Sequence, residues 1–398
     1  MAPLFLDRKK FLIAMVLNSR FRLIVIYLLS IKCTINVVLA QDTVPYYSHL
    51  KLSTNEDLRI AIDLYGKYID GRMEGNIDYQ QFWVKREIEK YAIPDLASHY
   101  LLPKENTAIM GVAKLDSSHL LLKTVGFMDQ KHNETPEIMY VYNYIVHKDN
   151  GTYRLGNYLD YFLQKEKLEY TNGSYGTYYG VSPGQTEGID SLFKKIELFF
   201  EKKFDHKFTI VNFNNALESL NARGYDYFIG TLNSKTTISG LFNPHNNIMY
   251  VTNSGSIHVH EILRSLHVLL PKSPVILRNG IANLCGGSLG LSIKENINSI
   301  YPYLKDNKEV LNDIDNFYYY DDQVVPHAVF TAIVTNYYIK KFGLEAFKEL
   351  MATESHTEIS LSDFMSEFCD VNDLGGFLIK EMGMYLNKDL EYVDVFKD

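Results

Sequence analysis

The chain is expected to be an α+β protein: an N-terminal domain of helices plus an antiparallel sheet, then a domain with a small sheet, a short motif-bearing helix and a helical C-terminal part. Three observations carry this expectation. Helical and then period-two patterns run to about residue 180, helix and strand patterns alternate between residues 189 and 252, and helical spacing dominates beyond Gly290. Composition agrees, because 46% hydrophobic and 22% charged residues over 398 positions is globular usage and suggests two or three domains.

The first forty residues read as an export signal. Arg8, Lys9, Lys10, Arg20 and Arg22 supply positive charge, residues 23–31 an apolar core, and Val38-Leu39-Ala40 before Gln41 the small-residue spacing of a cleavage site. A start at Met15 would give a more conventional signal. Lys32 breaks the apolar run, and a permanent span needs about 20 predominantly apolar residues. No later stretch is long and apolar enough to span a bilayer. The expected destination is the periplasm, the cell surface or the exterior. Removing the signal leaves Cys285 and Cys369, either one disulfide or two reduced core thiols.

Residues 41–182 form the expected N-terminal domain. Helical periodicity covers residues 55–69 and 79–91, with Pro94 ending the second helix; residues 109–114, 119–128 and 137–147 read as strands between turn-rich pieces. Two helices followed by a curved antiparallel sheet resemble the NTF2-like or cystatin-like accessory domains. Thirty tyrosines against one tryptophan is unusual, with runs at Tyr140, Tyr142, Tyr144 and at Tyr318, Tyr319, Tyr320. Such stripes either line a carbohydrate or peptide groove or form amphipathic packing faces.

Residues 183–398 form the second domain, entered at Ser182-Pro183-Gly184. An amphipathic helix is expected over residues 189–204, a strand over 207–211, a short helix over 214–221, a strand over 225–229 and a turn and strand over 240–252. Helices follow over residues 293–304, 324–342 with Gly343 as stop signal, 344–351, 361–368 and 376–386.

The informative stretch is Ile257-His258-Val259-His260-Glu261-Ile262-Leu263-Arg264-Ser265-Leu266-His267, followed about fifteen residues after Arg264 by Arg278-Asn279-Gly280-Ile281-Ala282. Apolar positions Val259, Ile262, Leu263, Leu266 and Leu270 follow helical spacing, with Ser254 or Ser256 as cap. In an H-E-x-x-H helix two histidines one turn apart grip Zn²⁺ and the Glu between them is the general base. His260 and Glu261 fill the first two places. The second histidine position holds Arg264, whose guanidinium keeps its proton and offers no lone pair.

The order of strand, H-E helix and G-I-A helix resembles the gluzincin metallopeptidases, specifically the peptidase-MA-like exported proteins, from residue 187 onward and with specific motif content only between residues 240 and 290. The resemblance implies His260 as first zinc ligand, Glu261 as general base and a glutamate ligand where Asn279 stands. Two of three ligand positions, Arg264 and Asn279, are therefore replaced. A unit cation about 5 Å from Zn²⁺ at an effective dielectric near 20 costs roughly 6 kcal/mol. His267 lies two turns from His260, roughly 10 Å along the axis, and His258 points to nearly the opposite side. Only a loop residue such as His245 or His327 would remain as a replacement ligand. Without metal, Glu261 offers at most general-base assistance of about 10²–10⁴-fold. The plain structural alternative is an intrahelical Glu261–Arg264 ion pair at i, i+3 and an Asn279 amide bridging the two helices.

Two other matches weigh less. Gly286-Gly287-Ser288-Leu289-Gly290 fits G-x-S-x-G, but a nucleophile elbow needs a preceding strand and residues 280–285 read as helix. Asp370 to Glu381 approximates a calcium loop whose fifth position is Leu374 instead of an oxygen ligand.

The expectation for function is an exported metallopeptidase-like protein, inactive as a zinc hydrolase, that acts as a binding or scaffold protein with no cofactor. Its partner would be a peptide or glycan in the relict cleft. The alternative is a peptidase or other hydrolase with a non-standard zinc site built around His260 and Glu261. A net charge of −8 gives no electrostatic case for nucleic acid or an anionic membrane.

Overall fold

The computed structural model describes residues 55–73, 78–97, 106–128, 137–228, 240–252, 258–317, 320, 324–353, 357–387 and 395–396. The export signal expected over residues 1–40 lies outside these, as do Ser254, Ser256, Tyr318 and Tyr319. The architecture is mixed α+β, with one antiparallel and one mixed sheet.

The N-terminal part holds α1 (Glu56–Met73), α2 (Tyr79–Phe82) and α3 (Lys85–Lys90), then β1 (Thr107–Lys114), β2 (His119–Met128), β3 (Glu137–Asp149) and β4 (Thr152–Asn157) in an antiparallel meander. The single helix expected over residues 79–91 is two. Between them Trp83 is extended and bridges Leu155, and the Val84 N–H donates to the Leu155 carbonyl at 2.9 Å. Burying the Trp83 ring, 1% exposed, ties this backbone to the sheet and overrides local helical spacing. Tyr140, Tyr142 and Tyr144 alternate onto one face of β3 and are at most 1% exposed. With Tyr65, Tyr68 and Trp83 they form the core of this part, so this tyrosine stripe is packing and not a groove.

Next come α4 (Tyr158–Lys165), β5 (Tyr170–Asn172), β6 (Gly176–Tyr179), α5 (Pro183–Phe200), β7 (Phe208–Phe213), α6 (Ala216–Ala222), β8 (Tyr225–Phe228), β9 (Leu241–Asn243) and β10 (Ile248–Thr252). The second sheet runs β5-β6-β7-β10-β9, with β6, β7 and β10 parallel. Its central strands read FTIVNF and IMYVT because both faces are covered. Phe208, Ile210, Met249 and Val251 face α5 and the motif helices, while Val211, Phe213, Ile248 and Tyr250 pack with Leu159, Leu163 and Ala222 of α4 and α6.

The expected domain boundary at 182/183 is crossed by pairing in both directions. Strands β5 and β6 precede it yet pair into the second sheet, and β8 follows it yet pairs with β3 of the first. The strand expected over residues 225–229 thus belongs to the N-terminal sheet, and β10, which leads into the motif, is an inner strand flanked by β7 and β9.

The motif forms α7 (Val259–Leu263) and α8 (Leu266–Leu269), followed by α9 (Val275–Gly286), α10 (Ile293–Asp306), a 3-10 stretch over Lys308–Asn316, α11 (Pro326–Ala352), α12 (Leu361–Cys369) and α13 (Leu374–Leu386). Helix α11 breaks at Gly343, whose φ of 87° explains the stop expected there. Helix α9 is held against α11 where the Asn283 amide donates to Thr331 Oγ1 at 3.1 Å. Cys285 and Cys369 are both free thiols. Among the described residues no helix is long and apolar enough to cross a membrane.

Candidate functional site

The motif helix differs from the single continuous helix expected. His258 stands at its N-cap position with no side-chain cap bond. At Arg264-Ser265 the ladder tightens from i−4 to i−3 bonds, with Ser265 N–H donating to Ile262 O at 2.9 Å and His267 N–H to Arg264 O at 3.0 Å. Ile262, Leu263 and Leu266, at most 1% exposed, anchor this segment in the core. His260, Arg264 and His267, spaced i, i+4 and i+7, form one stripe along α9.

Each end of that stripe is tied to α9. At one end the His260 Nδ1–H donates to the Gly287 carbonyl at 2.7 Å, and the backbone of His260 lies so close to Gly286 that a Cβ there would collide with it. A carbonyl only accepts, so the proton sits on Nδ1 and the Nε2 lone pair is left over. That is the tautomer a ligating imidazole uses. At the other end His267 Nε2–H donates to Asn279 Oδ1 at 3.1 Å. Asn279 therefore bridges the two helices, but to His267 and not to His260, roughly 10 Å further along the axis. No hydrogen bond joins His260 to Asn279 among the described residues.

Arg264 lies between the two anchors. Its guanidinium donates no hydrogen bond among the described residues, and its Nε is buried without a partner. Burial pushes its pKa below the usual guanidinium range. Nearby, Arg278 is 4% exposed; its Nη1 donates to the carbonyls of Leu270 at 3.2 Å and Pro271 at 2.9 Å. Burial and the charge of Arg264 bring Arg278 down to about 10. Burial, with Arg264 close by, also lowers His260 and His267 to about 4, so both rings are neutral at physiological pH.

Glu261 turns away from this stripe. Its carboxylate occupies the space where a side chain at residue 240 would begin, so a Cβ at Gly240 would have to displace it. Burial raises its pKa to about 7, against the opposing pull of its own backbone N–H and of Arg264. The expected Glu261–Arg264 ion pair is not formed, because one side chain leans toward β9 and the other toward α9. Glu261 Oε2 instead lies 3.9 Å from His258 Nδ1. His258 faces away from His260 at i, i+2, and its i, i+3 offset from Glu261 places it beside that carboxylate.

The residues present do not fit a zinc ion. His260 keeps a suitable lone pair, but a guanidinium occupies the second position and the Asn279 oxygen is engaged by His267. Among the described residues, no three His, Cys, Asp or Glu side chains are grouped to hold a metal. His245 sits in the turn between β9 and β10, its N–H donating to Asn243 Oδ1 at 3.1 Å, and His327 lies in the first turn of α11. The lesser motifs resolve structurally. Ser288 follows helix α9 instead of a strand, and Asp373 Oδ1 caps α13 by accepting from Gly376 N–H at 2.9 Å while Glu381 is 5% exposed on that helix. No family model and no curated protein matches this chain.

Proposed function

We propose that this chain is an exported, metallopeptidase-like protein without zinc hydrolysis, acting as a binding or scaffold protein whose cleft between α7–α8 and α9 receives a peptide or glycan. One observation carries the reading: the half-buried Arg264 side chain, a guanidinium without a lone pair, stands one turn from His260, where a second ligand would have to donate electrons. The His267–Asn279 bond supports it, since it spends the third ligand position on joining helices. A second reading, hydrolysis at an altered site around His260 and Glu261, draws support from the Glu261 pKa of about 7, in the range that suits a general base.

Metal analysis of the purified protein separates the two. We expect no stoichiometric zinc and no protease activity above that of Glu261→Ala. Stoichiometric zinc, with activity lost in Glu261→Ala, would overturn the first reading. The double variant Arg264→His with Asn279→Glu tests the resemblance itself: a gain in zinc affinity is expected, and its absence counts against aligning Asn279 with a ligand position.

A further inference from the structure

A cavity of about 380 Å³ opens where the C-terminal end of α4 meets α3 and the β5–β6 pair, on other elements than the motif helices. The end of α4 supplies its apolar floor. Lys167 N–H donates to the Gln164 carbonyl and Leu168 N–H to that of Leu163, both at 3.3 Å, the two-bond closure of a helix that ends on a left-handed residue. Leu163 and Leu168 both line the cavity and belong to the apolar cluster that packs on the second sheet. The left-handed position is usually glycine; here it is Lys167, with φ of 49°. One wall is the cross-strand pair Tyr170 and Tyr179, whose ring centroids are 5.6 Å apart, with Tyr170 62% exposed.

The charged lining is cationic on balance, with Arg86, Lys90 and Lys167 against one carboxylate, Asp160. Lys90 Nζ lies 2.7 Å from Asp160 Oδ1, and the same oxygen accepts from the Tyr91 hydroxyl at 2.9 Å. That pair is neutral. Arg86 and Lys167 make no ion pair among the described residues, and the neighbouring acids Glu89 and Glu166 lie against Lys85 at 3.6 Å and Lys165 at 4.0 Å. Two positive charges therefore remain at the rim. Asp160 is 8% exposed, yet its Oδ2 makes no hydrogen bond among the described residues. A largely buried acceptor without a donor is costly, so this oxygen favours a ligand that brings one.

We infer that this cavity binds an acidic saccharide: the apolar face of a sugar ring lies on Tyr170, its anionic group meets Arg86 and Lys167, and a ring hydroxyl donates to Asp160 Oδ2. The three contacts select the class together. An inorganic anion has no ring face for Tyr170, a neutral sugar leaves Arg86 and Lys167 without a counter-charge, and a simple aromatic acid brings no hydroxyl to Asp160. The volume falls within the range of small-molecule sites, about 300–1,000 Å³. The site shares no residue with the motif helices, so its test is independent of the zinc question.

The test titrates the full chain by calorimetry with trigalacturonate and with glucose 6-phosphate, beside their neutral counterparts, the methyl ester of the first and glucose, and beside sodium benzoate. Saturable binding of an acidic sugar is expected, and the tighter of the two identifies the anion as carboxylate or phosphate. Its neutral counterpart should bind about 10-fold or more weakly, the worth of a charged hydrogen bond, and added salt should narrow that gap. Tyr170→Ala should weaken binding by about 3- to 10-fold through the lost ring face, and Arg86→Gln by a similar factor. Lys167→Gly removes a charge and places glycine at a left-handed position, so its thermal midpoint should hold or rise while binding falls by about 3- to 10-fold, which separates a lost contact from a lost fold. No saturable binding of either acidic sugar overturns the assignment, as does equal binding of the neutral counterpart, tighter binding of benzoate, or an affinity unchanged in Tyr170→Ala.

Discussion

His267 Nε2 lies 3.1 Å from Asn279 Oδ1 and joins α8 to α9. The partners are twelve residues apart in sequence and sit at the far end of the stripe from the His260–Gly287 bond. Cutting this tie should show as coupling. In a double-mutant cycle of His267→Leu and Asn279→Ala, measured by urea denaturation, an interaction free energy of about 0.5–1.5 kcal/mol is expected. Additivity within about 0.3 kcal/mol would mean that the bond adds nothing to stability.

Arg264 is expected to cost stability. Replacing a half-buried guanidinium whose Nε is buried without a hydrogen-bond partner with an apolar chain of similar length removes a desolvation penalty. Arg264→Met should leave the urea midpoint unchanged or raise stability by about 1 kcal/mol or more, at unchanged m-value. A loss above about 1 kcal/mol would reveal a partner for the charge in the unliganded protein.

Gly240 and Glu261 compete for one space. Gly240→Ala should destabilise by about 1–3 kcal/mol, the usual range for overpacking. In a Glu261→Ala background the same substitution should cost less than about 1 kcal/mol. If the two costs are equal, the carboxylate does not occupy that space.

Glu87 provides a pH test away from the cleft. Its side chain is fully buried, Oε2 accepts from the N–H and Nδ2 of Asn157 at 2.8 Å each, and Oε1 is unpartnered. Burial raises its pKa to about 8. The unfolded chain ionises near the ordinary 4.5 while the folded state keeps the proton, so the stability present at lower pH is lost as pH rises from about 4.5 to 8. Glu87→Gln keeps an acceptor for Asn157 and cannot ionise. Its thermal midpoint should rise relative to wild type between pH 5 and pH 8, and a constant difference would refute the buried acid. His260 and His267 act oppositely: lowered from 6.5 to about 4, they favour the folded state above 6.5 and withdraw that stability as pH falls toward 4.

Local patterns carried much of the architecture. Helical spacing anticipated α5, α10, α12 and α13, and glycine chemistry anticipated the break at Gly343 and the helix end before Gly287, whose φ is 73°. One legible signal went unused. Asn150-Gly151, with φ of 48° and 80°, is the tight turn that joins β3 to β4, and Asn-Gly between strands is a strong hairpin mark. No local pattern tells that β8 leaves the second sheet for β3, because a four-residue strand pairs with whichever edge the fold presents.

For the candidate site, residue identity alone decided that position 264 cannot ligate a metal: a guanidinium has no lone pair, whatever surrounds it. Spacing also decided that His260, Arg264 and His267 share a face, because the helical repeat sets that angle. Only the tertiary structure decided what the face meets. The packing of α9 sets Asn279 against His267 and Gly287 against His260, and the close approach of Gly240 draws Glu261 away from Arg264. These contacts depend on how one helix is offset along another, and that offset comes from burying Ile262, Leu263, Leu266, Leu277 and Ile281 in a common core.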